Sequence, residues 1–202
     1  YFLWEREYEG QCEVINVENN VETVSTRPLN EFPTFIRHSQ AIPIVRKVLA
    51  KSEQCMDKQV RSYKPFGLRT YAKPQKTGDI TLYWQKGEGP YKRADVPAGH
   101  DMIDEWKVVS SRSGHEHGGK PGIGGKRRVL SKIALLPPGT ICTETYLVIG
   151  VYPDKKQAKN LIAYMQTQFF RFLLSLLMYS HSITRDTYCL IPILDMTRKW
   201  TD

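Results

Sequence analysis

The chain has 202 residues, of which 41% are apolar and 25% charged, a composition typical of a soluble globular protein that buries a core. Its net charge of +8 favours a polyanionic partner, although many basic proteins have none. The longest apolar run, Phe172–Met178, is much shorter than the roughly 20 residues that span a bilayer, so we expect a soluble protein. The four cysteines are far apart and include no Cys-x-x-Cys pair, so we expect reduced thiols in a cytoplasmic protein.

At the N-terminus, alternating apolar residues predict a β-hairpin whose strands are Tyr1–Tyr8 and Cys12–Val17, with Glu9-Gly10 in the turn. A lone hairpin is only marginally stable, so we expect this one to be the edge of a sheet in an adjoining domain. The chain also begins inside an apolar run and stops at Trp200-Thr-Asp202 without a closing element. We therefore expect a fragment of a longer protein.

A first helix is predicted after Ser39, which is a suitable capping residue. Pro43 is tolerated because it falls in the first turn of this helix. One or two further helical turns are expected between Ser52 and Ser62. The apolar residues at helical spacing are Ile42, Val45, Val48 and Leu49.

Between Ser62 and Tyr146 the chain changes to short β-rich segments with frequent turns. Together with the helices, these segments predict an α+β fold, a twisted mostly antiparallel sheet with one long amphipathic helix. Strands are predicted at Ile80–Trp84, Trp106–Ser110, Ser131–Leu136, Ile141–Gly150 and, near the C-terminus, Ile191–Thr197.

The long helix is the most regular pattern in the chain. Asp154 is its predicted N-cap, and the helix is expected to extend to Met178. Apolar residues follow the i, i+3, i+4 spacing of a helix that buries one face. The predicted core face comprises Ala158, Leu161, Ile162, Met165, Phe169, Phe172, Leu173 and Leu176.

A glycine-rich basic segment is the first candidate binding site. Residues 112–128 contain six glycines and one proline, which predicts a mobile loop. Such a loop can enter a DNA groove and present cations to guanine edges or phosphates, whereas the alternative is a solvated loop without a target. Its candidate DNA-binding residues, with one from the preceding strand, are Lys107, Arg112, His115, Lys120, Lys126, Arg127 and Arg128.

The segment Ser62-Tyr-Lys-Pro-Phe-Gly-Leu68 is the second candidate. Lys64 and Arg69 flank a Pro-Phe-Gly turn, where cations and backbone amides together can hold a phosphate. The alternative is a rigid turn whose Phe66 fills the core. We expect both descriptions to apply.

Several segments resemble one protein family. Tyr1-Phe-Leu-Trp-Glu-Arg6, Ser62–Leu68, Leu190-Ile-Pro-Ile-Leu-Asp-Met196 and Trp200-Thr-Asp202 are similar to "Tyr-Phe-Leu-Trp-Asp-Arg", "Ser-Arg-Lys-Pro-Phe-Gly-Leu", "Phe-Val-Pro-Leu-Gln-Asp-Phe" and "Trp-Thr-Asp". In this order they resemble the C-terminal target-recognition region of type II restriction-modification DNA adenine-N6 methyltransferases, the fused restriction and modification enzymes. The resemblance covers nearly the whole chain and is poorest in residues 112–135.

The resemblance implies a DNA target-recognition domain over residues 29–202, with residues 1–28 forming a hairpin from the end of the catalytic methyltransferase domain. The implied partners are double-stranded DNA and that catalytic domain of the same chain. Enzymes that methylate adenine flip the base out of the helix, so the resemblance makes Phe2 or Trp4 a candidate stacking residue. The alternative for both aromatics is packing on the sheet of the catalytic domain.

Two loops required for adenine methylation are missing from the sequence. An Asn/Asp-Pro-Pro-Tyr/Phe loop holds the target amino group, and Leu136-Pro-Pro-Gly139 lacks both the polar and the aromatic residue. Gly122-Ile-Gly-Gly125 is framed by neither a strand nor a helix start, so it is no dinucleotide-binding loop. We therefore expect no catalytic residue, metal or cofactor in this fragment, and S-adenosylmethionine only in the parent enzyme.

Three alternatives remain open. A magnesium-dependent nuclease would use Glu105 and Lys107 with an upstream aspartate. His115-Glu-His117 offers metal ligands without supporting contacts, because glycines surround them. The specificity subunit of a multi-subunit restriction system has a similar recognition fold, but one copy and no heptad pattern argue against it. The upstream aspartates considered for the nuclease are Asp79, Asp95 and Asp101.

Overall fold

The computed structural model describes residues 3, 5–18, 20–61, 63–114, 129–180 and 182–202. The chain forms two compact units, an N-terminal unit, Tyr1–Lys47, and a C-terminal unit, Val48–Asp202. The domain boundary after residue 28 that the sequence led us to expect stays a prediction. Whether either part belongs to a catalytic domain stays a prediction. No helix in the described ranges is long and apolar enough to cross a membrane.

The N-terminal unit contains a β-hairpin, but one strand later than predicted. Strand β1, Cys12–Glu18, pairs antiparallel with β2, Val21–Arg27. Asn20 forms the turn at φ 63°, a left-handed conformation that asparagine tolerates better than most residues. Over the described residues 3 and 5–8 there is no strand, because the chain turns there, with the Tyr8 amide donating to the Glu5 carbonyl at 3.3 Å.

The first helix, α1, Ile42–Leu49, is confirmed, and Ile42 and Val45 on its apolar face are buried. Ser39 does not cap it directly, because Ser39–Ala41 forms a short 3-10 turn that leads into the helix. The helical turn expected between residues 52 and 62 is a 3-10 turn at Met56–Lys58, whose Met56 is fully buried.

In its described residues, the C-terminal unit contains two three-stranded sheets. One has the order β4-β3-β7 and joins β3 to β7 in parallel, and the other has the antiparallel order β6-β5-β8. One hydrophobic core includes buried side chains from both sheets, among them Leu82 and Val109. The strands are β3, Ile80–Trp84, β4, Gly87–Tyr91, β5, Trp106–Ser111, β6, Ile133–Leu136, β7, Thr140–Cys142, and β8, Tyr146–Tyr152.

The fold is α+β and its strand pairing is mostly antiparallel, both as predicted, but the strands form separate sheets rather than the single sheet we expected. The segment expected as one strand, Ile141–Gly150, is broken by a turn in which the Tyr146 amide donates to the Thr143 carbonyl at 3.1 Å. Its two halves therefore join different sheets. Strand β4 was missed because Gly87, Gly89 and Pro90 have low β-propensity, and an edge position makes the proline tolerable.

The long helix is two helices. Asp154 caps α2, Lys155–Gln166, by accepting from the Gln157 amide at 2.9 Å, as predicted. Thr167 is extended, with ψ 153°, and its side chain caps a second helix, α3, Gln168–Ser175. This break changes which face α3 buries. Phe170 is 0% exposed, whereas Phe169 and Phe172, predicted in the core, are 38% and 37% exposed.

The predicted strand Ile191–Thr197 is also wrong, since the structure has only an isolated bridge there, between Pro192 and Cys55. The Met56 amide donates to the Ile191 carbonyl at 2.8 Å and the Ile193 amide donates to the Gln54 carbonyl at 2.9 Å, and the pairing goes no further. The same segment also bonds to α2. Asn160 Nδ2 donates to the Met196 carbonyl at 2.9 Å, and the Tyr164 hydroxyl donates to the Pro192 carbonyl at 3.1 Å.

Candidate nucleic-acid interface

An open groove of about 490 Å³ lies in the C-terminal unit, where three separate segments approach one another. One segment follows residue 62, one follows β5, and one is the turn between β7 and β8. A fourth segment, the β3–β4 hairpin turn, contributes Gln85 to the wall. We call this site the Arg69–Arg112 groove; its lining residues are Tyr63, Arg69, Thr70, Gln85, Arg112, Ser113, Glu144 and Thr145.

Arg112 enters the groove from a fixed backbone. Its amide donates to the Thr145 carbonyl at 2.9 Å, and its carbonyl accepts from the Ile183 amide at 2.8 Å. The Arg112 side chain is partly exposed and makes no ion pair within the part of the chain that the structure describes. A guanidinium on a held backbone is well placed to bind an anion, because its planar donors match phosphate geometry.

Arg69 reaches the same groove and is oriented by Glu144. The guanidinium nitrogen Nη1 lies 3.6 Å from Glu144 Oε2, while Glu144 Oε1 accepts from the Thr70 amide at 3.1 Å. The Arg69 side chain is 47% exposed, so this ion pair is worth little in stability. Its effect is positional, and among the described residues no further hydrogen bond or ion pair occupies the other guanidinium donors of Arg69, which can therefore meet a ligand.

Tyr63 and Lys64 at the mouth of the groove have a strained backbone. Both have φ 56°, in the left-handed region that costs an L-residue about 1–2 kcal/mol each. The Tyr63 ring is 64% exposed, and Lys64 Nζ lies 4.7 Å from its centroid. The turn closes where the Gly67 amide donates to the Lys64 carbonyl at 2.9 Å. Phe66 is 0% exposed, which confirms that it fills the core, while phosphate binding at this turn stays a prediction.

Charge is unevenly divided between the two units. The N-terminal unit carries five Lys and Arg against seven Asp and Glu, and the C-terminal unit carries 24 against 14. The formal net charges are therefore −2 and +10. The positive charge of the chain belongs to the unit that contains the Arg69–Arg112 groove.

Comparisons with known proteins add no assignment. No family model matches the chain, and neither a curated protein nor a solved structure matches it. The functional interpretation therefore depends on the geometry of the groove and on the resemblance of the sequence motifs.

Lys107 is a correction among the predicted DNA-binding residues. It is 0% exposed, and its ammonium group donates to the carbonyls of Met102 at 2.8 Å, Ile103 at 2.8 Å and Glu105 at 2.6 Å. Burial lowers the pKa of Lys107 to about 8, because desolvation disfavours the charged form, while these hydrogen bonds favour it. Lys107 fixes the chain before β5 and cannot reach DNA.

The structure does not assemble the nuclease alternative either. Asp79 accepts from the Arg93 amide at 2.9 Å, and Asp95 accepts from Gln75 Nε2 at 2.7 Å. The Lys107 ammonium is occupied by carbonyls, so it cannot support an attacking water. Among the described residues, no three His, Cys, Asp or Glu side chains are grouped so that they could hold a metal ion.

The Pro-Pro segment does not fit an adenine-binding or S-adenosylmethionine-binding loop. Leu136 is buried at the end of β6, and Gly139 at φ 76° turns the chain directly into β7. This geometry leaves a tight turn between two strands, with no polar side chain to hold an amino group.

Of the predicted site residues, Arg69 and Arg112 meet in the groove and Lys64 lies beside it. The sequence did not identify Tyr63, Gln85 or Glu144 as site residues, because their proximity depends on which strands pair. Of these three, Tyr63 alone could have been identified from the sequence, because its aromatic side chain lies next to a predicted cationic turn. The following predicted residues lie outside the described part of the chain and stay predictions: Phe2, Trp4, His115, Lys120, Lys126, Arg127 and Arg128.

Proposed function

We propose that this chain binds duplex DNA and is the target-recognition part of a restriction-modification DNA adenine-N6 methyltransferase. The observation that carries DNA binding is the Arg69–Arg112 groove, which brings together two arginines more than 40 residues apart in sequence. The resemblance of the terminal and Pro-Phe-Gly motifs supports the narrower assignment to that enzyme family.

Duplex DNA is the ligand whose chemistry fits this groove. Two guanidinium groups on separate segments can each bind a phosphate oxygen pair, and the Ser113 hydroxyl adds a neutral donor. Lys64 adds a further cation at the mouth of the groove. A net charge of +10 on this unit attracts a polyanion through counterion release. These contacts position the protein on DNA without reading its sequence.

We assign sequence reading to the basic segment 115–128. It follows Gly114, two residues after Arg112, and it ends before Val129 and Leu130, which are both buried. The Ser131 hydroxyl donates to the Ser113 carbonyl at 2.9 Å, so the two flanks of the segment lie close together beside Arg112. Arg127 and Arg128 are suited to guanine edges, since arginine donates two parallel hydrogen bonds to O6 and N7.

Methyl transfer belongs to the catalytic domain of the parent enzyme. S-adenosylmethionine supplies the methyl group there, and the residues of this chain hold the DNA and select its sequence. The expected partners of this chain are therefore double-stranded DNA and the catalytic domain.

Affinity for duplex DNA tests the positioning role. Arg69→Ala and Arg112→Ala should each weaken binding of the 202-residue chain at low ionic strength, and Lys64→Ala should weaken it for all sequences alike. Lys156→Ala is the matched control, because exposed Lys156 follows the far end of β8, and this strand extends roughly 20 Å from Thr145 in the groove to Tyr152. Equal losses at Lys156 and at the two arginines would refute the groove as the binding site.

A further inference from the structure

Tyr63 is the most exposed aromatic side chain at the Arg69–Arg112 groove. We propose that it is a stacking residue, whose ring packs against a base of the bound duplex while the neighbouring arginines hold the backbone. This inference depends on the proposed function. It differs from the sequence expectation, which placed base stacking at Phe2 or Trp4.

The backbone holds Tyr63 outward at an energetic cost. Tyr63 and Lys64 are consecutive L-residues at φ 56°, a combination that persists only where the surrounding structure enforces it. On one side, Arg61 and Val148 exchange both backbone hydrogen bonds, at 2.8 and 3.0 Å. On the other, the buried ring of Phe66 fixes the turn. Strain at an exposed aromatic residue is typical of a functional position rather than of packing.

The surroundings of the ring fit a base better than a protein partner. Lys64 Nζ lies over the ring at 4.7 Å, and the guanidinium groups of Arg69 and Arg112 line the same groove. Cations that bind phosphates on either side of an aromatic ring direct the ring to the bases between those phosphates. Stacking tolerates any base, so it adds affinity for every DNA sequence. The gain in affinity should be largest at base steps that unstack easily, such as TA and CA.

Tyr71 provides a matched control within the same segment. Its ring is 79% exposed, more than that of Tyr63, but it does not line the groove and its backbone φ is ordinary. If exposure alone made an aromatic residue bind DNA, both tyrosines would contribute. If position in the groove matters, only Tyr63 will.

The test combines affinity with photocrosslinking of the full chain to duplexes that carry 5-iodouracil at single TA or CA steps. Tyr63→Asn removes the ring and keeps a residue that tolerates the left-handed backbone, so it should fold normally. It should weaken binding by about 5- to 150-fold, the range expected for one lost base–aromatic stack. Tyr63→Phe should bind within about twofold of the original chain, and Tyr71→Ala should bind unchanged. The crosslink should map to residue 63 in the original chain and in Tyr63→Phe.

Three outcomes would overturn stacking by Tyr63. Tyr63→Asn could bind as tightly as the original chain while Arg69→Ala and Arg112→Ala bind more weakly, which leaves the proposed function intact. Tyr63→Phe could lose as much affinity as Tyr63→Asn, which would assign the effect to the hydroxyl. Tyr71→Ala could lose as much as Tyr63→Asn, which would make the effect general to exposed rings. If Arg69→Ala and Arg112→Ala both bind DNA as tightly as the original chain, the proposed function itself is refuted.

Discussion

Truncation of one of two adjacent phenylalanines tests the break between α2 and α3. Phe170 is fully buried, with its ring centroid 5.1 Å from that of Tyr164 and 6.3 Å from that of Tyr188. Phe170→Ala should therefore lower the free energy of unfolding by about 3–5 kcal/mol, through lost apolar burial and a residual cavity. Such a loss is a large fraction of the roughly 5–15 kcal/mol that stabilises a typical domain.

Phe169→Ala is the control for that prediction. This side chain is 38% exposed, so its truncation should cost only about 1 kcal/mol. Both values are obtained from urea unfolding followed by far-ultraviolet circular dichroism, with the slope compared between variants. A continuous helix from Asp154 would reverse the order, because its periodicity buries Phe169. Equal costs, or a larger cost at Phe169, would therefore refute the break at Thr167.

Three further predictions concern the groove, the buried lysine and the basic segment. Tyr63→Gly should raise the free energy of unfolding by up to about 1 kcal/mol, since glycine adopts the left-handed backbone without strain; a loss in urea unfolding would contradict this. Because burial lowers the pKa of Lys107 from 10.5 to about 8, the unfolded chain binds more protons between these values, and stability should rise with pH across this window. The difference in unfolding free energy between the original chain and Lys107→Met should follow that rise, and a flat difference would refute it. Replacing Lys126, Arg127 and Arg128 with alanine in the parent enzyme should weaken binding to the cognate site by about 1–3 kcal/mol per lost bidentate base contact and leave binding to mismatched sites unchanged. Competition binding measures both, and unchanged discrimination between cognate and mismatched DNA would reject base reading by these residues.

Regular apolar patterns made much of the fold predictable. Strand β3 has the bounds predicted from the sequence, β5 is one residue longer than predicted, and α1 follows Ser39 as expected, because local periodicity and tertiary packing agree there. The cap at Asp154 was also predictable, since an aspartate before an apolar helical pattern is a strong local signal.

The remaining fold errors come from competing local signals. The apolar spacing continues through Thr167, but threonine can also cap a new helix. The sequence does not show whether the helix continues or a second one begins there. The N-terminal hairpin was predicted one strand too early, because both Gly10 and Asn20 are good turn residues and the turn was predicted at Gly10. In the C-terminal segment, apolar residues around Pro192 resemble a strand, but their pairing with residues 54–56 stops after one bridge, and the Pro192 carbonyl accepts from α2.

The candidate site was predictable only as separate cationic positions. Lys64, Arg69 and Arg112 are recognisable from their turns and loops, but the sequence does not reveal that β7 and β8 separate at Thr143. That separation places Glu144 beside Arg69 and brings Arg112 to the same groove. Lys107 illustrates the opposite error, because a lysine in a basic stretch can be buried and bonded to carbonyls.

The dependence of DNA affinity on salt is the most direct test of the proposed function. The logarithm of the binding constant of the 202-residue chain should fall steeply with the logarithm of the salt concentration. In the Arg69→Ala, Arg112→Ala double variant the slope should become less negative by about 1.8, which is about 0.9 for each lost phosphate contact. The Lys156→Ala control should keep the original slope. A slope near zero in the original chain, or an unchanged slope in the double variant, would contradict DNA binding through the Arg69–Arg112 groove.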